Sequence, residues 1–219
     1  MQRGRRRASC RVQSTKAKVK MSVHEGDEKG FHLAVVLLAA GAGSRFGGDK
    51  LLAPYRTGRL IDASLDAALA ASPGEVVAVT GGGAEALEAH LAARPGPFRV
   101  VRCADWHVGM SASLKTALAA VAGADAVAVF LGDMPGVPAG LVAKLSAAVE
   151  AGAAAAAPVC EGRRGNPVVL GAEVLARVGE LSGDRGAGPL LEGLGSRLAL
   201  IPTDDKGVLF DVDRKEDLR

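Results

Sequence analysis

LAVVLLAAGAGSRFGGDK, residues 33–50, decides how the rest of the chain is read. Seven apolar residues, Leu33 to Ala39, run without a break into a segment that holds Gly41, Gly43, Gly47, Gly48, Arg45 and a closing Lys50. An unbroken apolar run of this length predicts a strand buried on both faces of a parallel sheet. The loop that follows is suited to an anion. Its glycines let backbone N–H groups come close to a polyphosphate, Arg45 can fork onto phosphate oxygens, and Lys50 adds a point charge.

Two familiar phosphate loops do not fit. A Walker loop places Ser or Thr after its lysine, where the hydroxyl holds magnesium, but Leu51 follows Lys50. A dinucleotide fingerprint requires a third glycine at position 46, which is Phe46. The pattern present is L-A-A-G-x-G-x-R-x-G-x-x-K.

Composition narrows the function classes. The chain's 219 residues suffice for one sizeable α/β domain. With 48% hydrophobic but only 3% aromatic residues, the core must be built from Ala, Val and Leu. No apolar run reaches the roughly 18 residues of a membrane span, so no membrane partner is expected. Residues 1–20 hold eight basic and no acidic residues, and taking that +8 from the chain's +3 leaves −5 for residues 21–219. The basic balance thus belongs to the tail, and nucleic acid is not expected as a partner of the body. Residues 1–30 are read as a basic, disordered extension with Met21 as an alternative start, and residues 31–219 as the functional domain. Cys10, Cys103 and Cys160 show no C-x-x-C spacing, so neither a disulfide framework nor a zinc site is expected, and cytoplasm is the expected compartment. His24, His32, His90 and His107 are scattered, and none is assigned a catalytic role.

Along the chain, strands are expected at 75–83, 98–102, 125–135 and 153–159, with helices over 61–69, 84–93, 111–121 and 138–150. Ser111 is expected to cap the third of these helices. Alternation of this kind implies a doubly wound, mostly parallel α/β sheet, whose ligands lie beyond the C-terminal strand ends. The last third, with EGRRGNPVVLG and GDRGAGPLLEGL, reads as a substrate-facing lobe with short antiparallel strands.

Polyphosphate chemistry uses a divalent cation held by one or two carboxylates together with the phosphates. Asp133, at the end of an apolar run, is the first candidate, and it also fits as the cap of the helix at 138. Asp211 and Asp213 are expected on one face of a strand by their spacing of two, so that either or both can complete the metal site.

The loop pattern resembles that of nucleotidyltransferases with a Rossmann-like, GT-A-type fold. GMSASLKTAL (109–118), FLGDMP (130–135), GRRGNPVVLG (162–171), GDRGAGPLL (183–191) and FDVDRKEDL (210–218) resemble, more narrowly, the molybdenum cofactor cytidylyltransferases, over residues 33–219. The resemblance implies transfer of CMP from CTP to molybdopterin, with Mg²⁺, or Mn²⁺ in its place; the alternatives are a related nucleotidyltransferase with another acceptor or GTP, and a molybdenum-cofactor carrier or maturation protein without chemistry. It implies a nucleotide site at Leu38, Ala39, Ala40, Gly41, Gly43, Arg45 and Lys50, with Thr80, Gly81, Ser111 and Ser113 facing base and ribose. Arg45, Lys50 and Asp133 are the implied catalytic residues, and Asp133, Asp213 and Asp211 the implied metal ligands. Met134, Pro135, Arg163, Arg164, Asn166, Pro167, Asp184 and Arg185 are implied on the pterin side. Ala40, within LAAG, favours cytidine over guanosine in this family. The expected partners are CTP, molybdopterin, and a molybdenum hydroxylase apoprotein or its maturation chaperone.

Overall fold

β1 (Leu33–Ala39) is the strand expected from the apolar run, and it lies inside the main sheet with a neighbour on each side. The structure, a computed structural model, describes residues 30–41, 46 and 48–218. The expectations for residues 1–29, Gly43 and Arg45 therefore lie outside the described residues. After the loop come a short hairpin, β2 (Pro54–Tyr55) and β3 (Gly58–Arg59), and then α1 (Leu60–Ala71). Alternation follows with β4 (Val76–Thr80), α2 (Glu85–Ala92), β5 (Phe98–Arg102), α3 (Met110–Ala120), β6 (Ala126–Leu131) and α4 (Leu141–Glu150). The last third holds β7 (Ala155–Cys160), β8 (Arg163–Arg164), β9 (Val168–Gly171), α5 (Ala172–Arg177), α6 (Gly188–Glu192) and β10 (Leu198–Pro202).

The sheet runs β10-β7-β9-β6-β1-β4-β5, with β8 paired to β7. Every pairing in it is parallel except those of β8 and β9, so the fold is a mostly parallel, doubly wound α/β sheet. From β1 the chain moves outward through β4 to β5 and then crosses to β6 on the other side of β1. That reversal opens a crevice beyond the ends of β1 and β6, the place where such sheets bind ligands.

Side-chain alternation explains why β1 is apolar throughout. Val35, Leu37 and Ala39 face Ile61 and Leu65 of α1 and Leu145 of α4, while Val36 and Leu38 belong to the opposite core with Leu114 of α3 and Leu190 and Leu191 of α6. Each such fully buried Val or Leu stabilises the fold by about 1.5–3 kcal/mol. A third, smaller cluster joins Phe46, Ala53, Tyr55, Leu60 and Val212. It ties the descending side of the glycine loop to the far end of the chain.

Three expectations are corrected here. α3 starts at Met110 with Gly109 as its cap residue, at φ +119°, so Ser111 lies inside the first turn and is buried. α4 starts at Leu141 after Gly140, and Asp133 does not cap it. Asp211 to Asp213 form no strand, because the Val212 N–H donates to the Asp133 carbonyl at 3.0 Å in place of a ladder bond. In the last third β8 and β9 are antiparallel as expected, whereas β10 is parallel to β7. Among the described residues no helix is long and apolar enough to cross a membrane.

Candidate active site

Two adjoining cavities open over the crevice between β1 and β6. The smaller, about 200 Å³, lies between the end of β1 (Ala39, Ala40, Gly41), the segment Gly48 to Leu52 and the turn Gly81–Gly82–Gly83 after β4, with Ala84, Leu87 and Trp106 completing its wall. The larger, about 720 Å³, extends from Leu38 and the same β1 residues across Leu131, Asp133 and Met134 to Arg163, Arg164, Asn166 and Asp184. Ser113, Asp211 and Asp213 also line it. Ala39, Ala40, Gly41, Lys50, Leu51 and Trp106 belong to both cavities and form their common wall.

Lys50 is the electrostatic centre. It opens a one-turn 3-10 helix, Lys50–Leu52, directly after the glycine loop, and its Nζ lies 2.7 Å from Asp133 Oδ2 and 3.6 Å from Asp213 Oδ1. Asp133 is placed by the end of β6, whose following Gly132 donates its N–H to Leu38 of β1 at 2.9 Å. A Cβ at Gly132 would come 3.2 Å from that same Leu38 oxygen, so a small residue suits this approach. Asp213 and Asp211 are placed by Val212, which is fully buried and bonded to the Asp133 carbonyl. Asp217 secures the turn beyond, accepting from the N–H groups of Asp213 and Arg214.

Partial burial raises the Asp211 carboxyl above its ordinary pKa and the Asp213 carboxylate pushes it further the same way, against a hydrogen bond from its own backbone; Asp133 adds to the rise and Lys50 opposes it more weakly. Negative charge is thus gathered around the Lys50 ammonium. Among the described residues no group of three or more His, Cys, Asp or Glu is gathered as a ready metal cage. A magnesium-type site has no need of one, since one or two carboxylates suffice when phosphates and water supply the other oxygens. The hard oxygen donors of Asp133, Asp211 and Asp213 fit such an ion.

Other expected residues fall into two groups. Leu38, Ala39, Ala40, Gly41, Lys50, Gly81, Ser113, Asp133, Met134, Arg163, Arg164, Asn166, Asp184, Asp211 and Asp213 line one or both cavities. Thr80, Ser111, Pro135, Pro167 and Arg185 do not. Thr80 is fully buried and donates its hydroxyl to Glu88 Oε1 at 2.6 Å, so it does not face a ligand. Arg102 hydrogen-bonds the same Glu88 and, with the Thr80 hydroxyl, holds that carboxyl below its usual pKa. Ser111, Pro135 and Pro167 are buried, Pro167 behind a cis bond from Asn166. Arg185 is exposed and its guanidinium takes Glu192 at 2.8 Å, which leaves Asp184 as the cavity residue of that pair.

The RRGNP segment reaches the large cavity because its glycine permits it. Gly165 donates to Pro158 at 2.9 Å and Asn166 to Val208 at 2.9 Å, and a Cβ at Gly165 would sit 2.3 Å from the Val208 oxygen. Arg163 and Arg164 stand exposed at the cavity and take no carboxylate partner among the described residues. Among the lining residues without a sequence-based site assignment are the aromatic pair Trp106 and His107. Their position immediately before the GMSAS segment was the available signal.

The profile of the MobA-like NTP transferase domain matches residues 35–199. A nicotine blue oxidoreductase from Paenarthrobacter nicotinovorans is 35% identical over 191 residues, covering 84% of this chain and 93% of that protein. Among solved structures, Rv0371c from Mycobacterium tuberculosis H37Rv superposes with a TM-score of 0.72 at 29% identity, covering 85% of this chain and 95% of that one. A manganese complex of Rv0371c gives 0.62 at 26% identity over 78% and 88%. A nucleotidyl transferase from Methanothermobacter gives 0.72 at 27% identity over 86% and 94%. With this match across most of its domain, the chain belongs to the MobA-like NTP transferase family and is a nucleotidyltransferase.

Proposed function

We propose that this enzyme transfers CMP from CTP to the terminal phosphate of molybdopterin, giving the cytosine dinucleotide and pyrophosphate. The observation that carries the reading is the placement of Lys50 on the wall shared by a small cavity and a large one, with Asp133 and Asp213 beside it on the large-cavity side. A nucleotide with its base in the small cavity would bring its α-phosphorus to that boundary. The large cavity, with Arg163 and Arg164 on its wall, suits a bulky polyanionic acceptor such as a pterin carrying phosphate and dithiolene.

An oxygen of the acceptor phosphate attacks the α-phosphorus, a new P–O bond forms, and the bond to the bridging oxygen breaks as pyrophosphate leaves. No general base is required, because the attacking oxygen is already ionised. Asp133 and Asp213, with Asp211 beside them, would hold Mg²⁺ or Mn²⁺, which when bound neutralises phosphate charge. The manganese complex of the related mycobacterial protein supports a divalent ion. Lys50 turns from the carboxylates to the phosphates, and Arg45, by sequence, adds a second cation on the leaving group. Positioning and charge neutralisation supply the catalysis.

Ala40 on the common wall supports CTP over GTP. The product dinucleotide would serve a molybdenum hydroxylase apoprotein or its maturation chaperone, and we place the enzyme in the cytoplasm. The test is pyrophosphate release by purified protein with Mg²⁺, molybdenum-loaded molybdopterin, and CTP or GTP in separate reactions. Release with CTP alone is expected. Release with GTP would overturn the base assignment, and release with neither would overturn the acceptor.

The oxidoreductase name of the Paenarthrobacter relative favours a second reading, in which the nucleotide cavity serves a redox reaction. A bound flavin, visible as colour in the purified protein, or consumption of a reduced nicotinamide nucleotide would support it.

A further inference from the structure

Trp106 is the only tryptophan in the chain and contributes to both cavities. We propose that it is a specificity-determining residue, whose indole sets the size of the nucleobase cavity and forms the partition between nucleotide and acceptor. The proposal rests on the nucleotidyltransferase reading and deepens it.

The indole has no room to retreat. On one side it lies against the turn after β4, where a Cβ added to Gly82 would stand 2.1 Å from Trp106 Nε1 and 2.6 Å from Cε2. A Cβ at Gly81 would stand 3.1 Å from Trp106 Cγ and 2.7 Å from the Ala40 oxygen. Glycine at both positions is therefore what allows the ring to sit there. The residue's own backbone is fixed in a 3-10 turn, Trp106–Val108, in which Gly109 donates to the Trp106 carbonyl at 3.2 Å. Gly109, at φ +119°, is in turn pressed on the acceptor side, where its Cβ would meet Asp184 Oδ1 at 2.6 Å and the Gly183 backbone at 2.6 Å. One short segment thus touches the nucleotide-side glycines at one end and an acceptor-side wall at the other. His107 stands edge-on to the indole, with ring centroids 6.3 Å apart, and faces the large cavity.

An aromatic face is a sequence-tolerant platform for a base, so contact alone gives affinity rather than choice. Choice comes from where the indole stands. Backed by glycines that leave it no retreat, it bounds the small cavity on the side toward acceptor space, so a two-ring base, which reaches further from the β1 wall than a one-ring base, meets it first. Removing the indole would join the small cavity to the large one and let the larger base extend into acceptor space.

Wild type, Trp106→Phe, Trp106→Ala and Gly82→Ala would be compared by equilibrium dialysis with labelled CTP and GTP in the presence of Mg²⁺. The intrinsic fluorescence of the lone indole is read in parallel for the chains that keep it. Wild type is expected to bind CTP with a change in emission, and Trp106→Ala to lose roughly 10-fold or more of its preference over GTP, the scale of a lost packing contact. Trp106→Phe should fall between them. Gly82→Ala, which keeps the indole but displaces it, should shift the emission of the free protein and narrow the preference. An unchanged CTP-to-GTP ratio in Trp106→Ala that still binds CTP overturns the proposal while leaving the nucleotide site standing. If Trp106→Ala does not fold, an unchanged ratio in both Trp106→Phe and Gly82→Ala overturns it equally. Binding of neither nucleotide by wild type overturns both the proposal and the reading beneath it.

Discussion

The Lys50 ammonium lies 2.7 Å from Asp133 and 3.6 Å from Asp213, so the side chain that closes the glycine loop occupies the space between two candidate metal ligands. An ammonium there offsets like charge that would otherwise repel, and a divalent ion entering the same space must compete with it.

Lys50→Met is expected to raise metal affinity in the nucleotide-free protein and to lower turnover with CTP. Without nucleotide the competitor is gone, and Mn²⁺ should bind more tightly than to wild type. With CTP the phosphates lose a cationic contact, and turnover should fall roughly 10²- to 10³-fold. Mn²⁺ titration followed by electron paramagnetic resonance checks the first part and pyrophosphate release the second. Weaker Mn²⁺ binding to the nucleotide-free variant would refute the competition.

Asp133→Ala should lower turnover by at least roughly 10²-fold, with far-UV circular dichroism unchanged, because its carboxylate lines the cavity while its backbone carbonyl continues to hold Val212. A folded, fully active variant would remove Asp133 from the metal site.

Asp211→Asn should leave the metal-free protein as stable as wild type or more so, since it removes one of three crowded carboxylates. At this solvent-exposed position screening keeps the gain within about 0.5 kcal/mol in urea unfolding, with weaker Mn²⁺ binding as the counterpart. Loss of stability would show that Asp211 is held by attraction rather than tolerated for function.

Acid stability should depend on Asp62, which joins α1 to α2. Burial alone would raise its carboxyl, but bonds from His90, the Arg59 N–H and Arg94 outweigh that and hold it below its ordinary 3.8. A depressed carboxylate adds stability that is complete above its unfolded pKa and is lost as pH falls through the lower folded value. Asp62→Asn should therefore cost about 1.5–3 kcal/mol near neutrality and less below pH 4, narrowing the gap to wild type. Urea unfolding at pH 7 and pH 3 measures this, and a constant gap would contradict it.

Much of this fold was legible because burial on both faces leaves an unambiguous mark, as in Leu33 to Ala39 and Ala126 to Leu131. Asp133 was legible as the first acid after such a run. Thr80 was misplaced because a polar residue at a strand end reads as ligand-facing. Its parity puts it on the face of Val76 and Ala78, against α2, where Glu88 takes its hydroxyl. Ser111 looked like a cap, but the left-handed backbone of Gly109 begins the helix. Asp211 and Asp213 were paired correctly by spacing and wrongly by element, since only the tertiary bond from Val212 to Asp133 shows how they are held. Arg185 found a local partner in Glu192 that no spacing rule singled out. Trp106 went unassigned because one aromatic residue reads as core until the glycines opposite it are seen in space.

The bond between Val212 and Asp133 has a consequence for the chain while it is being made. Asp213 leaves the ribosome 163 residues after Lys50, which at about 5–20 residues per second is an interval of roughly 8 to 33 s. Through that interval the growing polypeptide can form its glycine loop and central strands but lacks two of the three acids that would hold a cation. A cation site built on these three acids would thus be completed only after Asp213 has been made, well after the glycine loop and the central strands.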